Sequence, residues 1–162
     1  MSLGAALLSA LREGSFATAM RDSIWLYPVV ETIHIFGFAI LVGAVVMFDL
    51  RVLGVSKRIS VRLLARHLLP WSLAALLLIV PTGTLMFSSE AIELAGNRAF
   101  IIKMTLLSLA LANAVAFHVG SFRSAELWDQ DTTAPPGARV HALTSILIWA
   151  GVITCGRMIA YV

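Results

Sequence analysis

The chain has 162 residues, 59% of them hydrophobic and 13% charged, with a formal net charge of +3. Soluble domains carry roughly 25% charged and 45–50% apolar residues, so this composition excludes an ordinary water-soluble domain. The small positive excess calls for no nucleic-acid partner, because basic connections already serve membrane topology.

Residues 1–22 open with LGAALLSAL, which sets Leu3, Leu7 and Leu11 on one helical face before Arg12, Glu13 and a break at Gly14. This pattern predicts a short amphipathic helix lying in the membrane interface, a frayed tail being the alternative. No positively charged start precedes it, so it is expected to stay in the mature protein.

Four apolar blocks follow, over about 25–54, 63–87, 100–122 and 140–162. A block of about 20 residues crosses a hydrocarbon layer about 30 Å thick. None alternates apolar with polar residues as membrane barrel strands do, and lipid leaves no backbone group free to pair with water, so the blocks are expected to be helices. Pro28 falls in a first turn, where its missing N–H costs nothing. Pro70 and Pro81 lie inside the second block and predict kinks there.

The connections are too short for separate modules. The predicted fold is all-α and integral to the membrane: one domain, an up-and-down bundle of four transmembrane helices. Arg51, Lys57, Arg58, Arg62 and Arg66 crowd the first connection, and Arg123 and Arg139 flank the third, whereas the second, SSEAIELAGN, is acidic. The basic connections are therefore expected inside and both termini outside, in the periplasm of a bacterial inner-membrane protein. Trp25, Tyr27, Trp71, Trp128 and Tyr161 fit interfacial belts. Cys155 is the single cysteine, which forbids an internal disulfide and suggests a packing role.

An ionisable group inside a span is costly and so points to function. Each span holds one histidine: His34, His67, His118 and His141. The last three fall toward the inner side, while His34 lies roughly 13 Å in from the outer side at 1.5 Å per residue. Imidazole is the usual axial ligand of haem iron and a common copper ligand, so a haem b between His67 or His118 and His141 is one expectation. The bland reading puts these rings in the headgroup zone, binding nothing.

In the outer half, Glu31 and His34 share a face, and Lys103 and Arg157 are expected near that level. These residues would form an ion pair fastening three helices, or a site where His34 holds haem or, with Glu31, a metal, and Lys103 and Arg157 hold propionates or an anionic substrate. Asn113 is expected to bond to a neighbouring helix or to orient His118. Asp49 and Arg51 are expected to pair or to meet headgroups.

The runs FDLRVLG, LLPWSLA, NRAFIIKMTLL and GRMIAYV resemble a family of small bacterial four-helix inner-membrane proteins without assigned activity. More loosely, four helices carrying histidines resemble the four-helix membrane cytochromes b and the copper-resistance D-like membrane proteins. The resemblance implies haem or copper handling. The leading expectation is a haem b-binding electron carrier, linked to quinone or a periplasmic redox partner. A copper or other metal handling protein using His34, Glu31 and the outer methionines is the alternative, and a non-enzymatic membrane subunit or scaffold a third. The glycine content and small size allow a homodimer.

Overall fold

The structure, a computed structural model, describes residues 3–161, apart from the side chain of Ala5. Residues 1, 2 and 162 of the expected first and last elements lie outside the described residues. In chain order the helices are α1 (Leu3–Glu13), α2 (Ser15–Asp22), α3 (Leu26–Leu53), α4 (Val61–Ser89), α5 (Ala91–Gly96), α6 (Arg98–Val119), a 3-10 helix (Ser121–Trp128) and α7 (Pro136–Met158). The described residues contain no strand. Four helices, α3, α4, α6 and α7, are long and apolar enough to cross a membrane, which makes the chain a multi-pass membrane protein.

Local chemistry sets the helix ends. Gly54 stops α3 at φ 107°, and its N–H and that of Val55 return to the Arg51 and Leu50 carbonyls, a Schellman closure that glycine adopts without strain. Ser60 caps α4 by accepting from the Leu63 N–H at 3.0 Å, and Asn97 caps α6 by accepting from Phe100 at 3.0 Å. Pro136 opens α7, where a missing donor is harmless. The α4 helix runs on through Pro70 and Pro81, and the Thr82 hydroxyl donates back to the carbonyls of Leu78 and Ile79.

The α3 helix packs against α4 and α7, and α7 packs against α6, whereas α4 and α6 make no close backbone approach. The pair α3 and α7 therefore forms the middle of the assembly. Midway along, Leu41, Ala75, Trp149 and Val152 are buried together, with Phe38 edge-on to Trp149 at 5.9 Å. Gly37 lets α3 approach α4: a Cβ there would come within 3.0 Å of Ile79 and 3.2 Å of Leu78.

At the end carrying the Gly54–Ser60 connection, Val52, Val61, Phe117, Ala125, Trp128 and Ala138 form a second buried cluster. The 3-10 helix supplies Ala125 and Trp128, so the third connection is a folded cap. Trp128 is thus no interfacial belt residue. It is 4% exposed, and its Nε1 donates to Ser124 Oγ at 3.3 Å. Arg51 is also 2% exposed and does not pair with Asp49. Its guanidinium donates to the carbonyls of Ile59, Lys57 and Asp129, tying two connections together.

At the opposite end, α1 lies against α2, α4 and α5, and α2 against α3 and α4. Arg12 pairs with Glu93 at 3.2 Å and Arg21 donates to the Ser89 carbonyl at 3.3 Å. Leu3, Leu7 and Leu11 remain exposed in a row.

Candidate functional site

The end of the assembly that holds α1, α2 and α5 carries a polar group on a helix interior. His34 lies eight residues into α3, and its Nδ1 is 2.9 Å from Thr82 Oγ1 on α4. Because the Thr82 hydroxyl hydrogen is committed to backbone carbonyls of α4, its oxygen accepts and Nδ1 carries the proton. The ring also reaches the Ile79 backbone carbonyl, and with Nδ1 protonated the lone pair of His34 is on Nε2. Gly83 makes room for the ring, since a Cβ there would stand 3.1 Å from His34 Cε1.

Two charged groups stand within electrostatic reach of His34: Lys103 of α6 and Glu31 of α3. Lys103 is half-buried, and its ammonium passes 3.9 Å from where a Gly156 Cβ would sit, close to Cys155. The expected ion pair does not form. The two salt bridges among the described residues are Arg12–Glu93 and Arg62–Glu126, and Glu31, three residues round the turn from His34, is exposed. Arg157, expected at the same level, is exposed, stacked over the Tyr161 ring at 4.9 Å and bonded to its hydroxyl. Nearby, Phe87 stacks on Phe100 at 5.4 Å, and these rings with Met104 and Thr105 line a cavity of about 390 Å³ beside α6.

The three histidines at the other end are not drawn into one ligand set. His67 is exposed on α4. His118 is exposed and its Nδ1 donates to the Ala114 carbonyl of its own helix at 2.8 Å. His141 is half-buried and paired with Asn113: Asn113 Nδ2 donates to the His141 carbonyl at 3.1 Å, which turns Oδ1 to accept from His141 Nδ1 at 2.8 Å. Asn113 thus orients His141, not His118. The Phe117 ring packs edge-on against both His118 and His141, at 5.5 and 6.2 Å, where a shared haem would need space.

Thr82 had no sequence signal, and although Asn113 was expected to bond to a neighbouring helix, its pairing with His141 depends on which residue of that helix comes alongside. No group of three His, Cys, Asp or Glu residues is placed to hold a metal among the described residues.

A family of unknown function (DUF6644) matches residues 22–162. No curated protein matches the chain, and no solved structure does.

Proposed function

Since the chain belongs to this family of unknown function (DUF6644), we propose its role from the geometry at His34: a haem b-binding electron carrier of the bacterial inner membrane, exchanging electrons with quinone or with a redox partner outside. The observation that carries the reading is the 2.9 Å approach of His34 Nδ1 to Thr82 Oγ1, which, with the hydroxyl hydrogen directed at α4 carbonyls, assigns the ring proton to Nδ1. A ligating histidine typically has its second nitrogen tied in this way, with Nε2 left for the metal. The donor set fits haem b: one imidazole in a span, seated against α4 because Gly83 has no Cβ, and the ammonium of Lys103 for a propionate. When bound, the haem would supply a one-electron iron couple. His34 would hold the iron, Thr82 would fix the imidazole plane, and Lys103 would anchor the anionic edge.

In the same reading the four spans form an up-and-down bundle, α1 and α2 lie in the outer interface, and both termini face the periplasm. The basic residues gathered at the Gly54–Ser60 connection and around the 3-10 helix support that orientation. Protein purified from haem-replete cells should be red, with a Soret band that sharpens on dithionite, and His34→Ala should lose the band while His141→Ala keeps it. A colourless wild type ends the reading. Metal in its place, lost in His34→Ala by elemental analysis, would favour copper handling, and neither haem nor metal would favour a structural subunit.

A further inference from the structure

Asp49 lies in the last turns of α3 and is 6% exposed. Its carboxyl has one polar partner, the Ser145 side chain of α7, and its Oδ2 has none. A buried carboxylate with a free lone pair is expensive unless a cation or a proton answers it, and no cation among the described residues does so. Arg51, two residues on, is turned to loop carbonyls. On α4, Arg62 is paired with Glu126 of the 3-10 helix, and Arg66 and His67 are exposed. On α7, Arg139 is exposed and His141 is held by Asn113. Arg123 of the 3-10 helix faces solvent, and Asp129 beyond it is engaged by Ser60 and the Arg62 amide. None of these charges acts on Asp49, whose environment is burial and one hydroxyl.

We propose that Asp49 and Ser145 form a proton-binding site at the α3–α7 interface, where Oδ2 takes up and releases a proton while the Ser145 hydroxyl holds the carboxyl in place. The balance is a plain exchange: hydronium gives its proton to the carboxylate, leaving a neutral acid and water, and the acid returns the proton to water as hydronium. Asp49 stands four residues from the end of α3, roughly 6 Å by helical rise, so exchange runs through the end of the assembly that carries the Gly54–Ser60 connection. His141, one turn before Ser145 on the same face of α7 and half-buried, lies on that side. The site shares no residue with the His34 group, and the two readings stand or fall separately.

The test uses the full-length protein in native membranes and N,N′-dicyclohexylcarbodiimide, an apolar reagent that modifies protonated carboxyls, with the adduct located by peptide mass spectrometry. Asp49 should be modified, more than about tenfold faster at about pH 6 than at about pH 9, equally with or without sodium chloride, and Asp49→Asn should give no adduct in that peptide. An unmodified wild-type Asp49, or a rate indifferent to pH, overturns the proposal. Protection by sodium overturns it too, in favour of a metal-cation site. Should Asp49→Asn fail to fold, the pH and sodium comparisons on the wild type decide alone.

Discussion

At Asp129, burial and attraction pull in opposite directions. Desolvation opposes ionisation, but the Arg62 amide, the Ser60 hydroxyl and the charges of Arg62 and Arg51 outweigh it and hold the carboxyl below its ordinary range. A carboxyl depressed in the folded state adds stability above its unfolded value, about 3.9, and that contribution is lost as pH falls through the folded value. The melting temperature in detergent should therefore fall below about pH 4, less steeply in Asp129→Asn. Equal acid slopes would remove Asp129 from the account. Arg51 makes a sharper case, because its loss strands three carbonyls. Arg51→Met should destabilise by at least about 2 kcal/mol, read as a drop in melting temperature, since each buried polar group left unpaired costs about 1–3 kcal/mol. Arg51→Lys should recover only part of this, because an ammonium lacks the planar fork that reaches separate acceptors.

Among the elements, the spans were legible because each is a long apolar block, and their boundaries moved by no more than a few residues where a cap decided them. Gly120 and Pro136 end α6 and begin α7. The 3-10 helix was not legible. SFRSAELW reads as a polar connection, and only the approach of Val52, Val61 and Ala138 makes its Ala125 and Trp128 core residues. His34 and Lys103 could be brought to one level by counting residues along helices, whereas Thr82 could not be chosen as the partner, because helical rotation is fixed by packing. That packing is tight at Gly37, where a Cβ meets Ile79, Leu78 and the Ala75 carbonyl at 3.0–3.3 Å. Gly37→Val should cost roughly 1–3 kcal/mol by forcing α3 from α4. Gly151→Ala should be far milder, because its close neighbour at 2.9 Å is the mobile end of the Leu106 side chain. Similar melting temperatures for the two variants would refute this difference.

For the whole molecule, basic residues crowd the end that carries the Gly54–Ser60 connection, where Arg51, Lys57, Arg58, Arg62 and Arg66 stand with Arg123 and Arg139, and that excess carries the prediction of orientation. Alkaline phosphatase fused at the C-terminus should be active, and fused after Arg58 inactive; the reverse pattern would put the basic connections outside. The knot of bonds at the basic end also bears on how the chain is made. Ser60 and Arg51 each reach to Asp129, 69 and 78 residues later. All of α3, α4 and α6 is therefore synthesised before that partner exists. The Gly54–Ser60 turn stays provisional until Asp129 emerges, so a nascent chain released earlier would present an unfinished turn to membrane proteases.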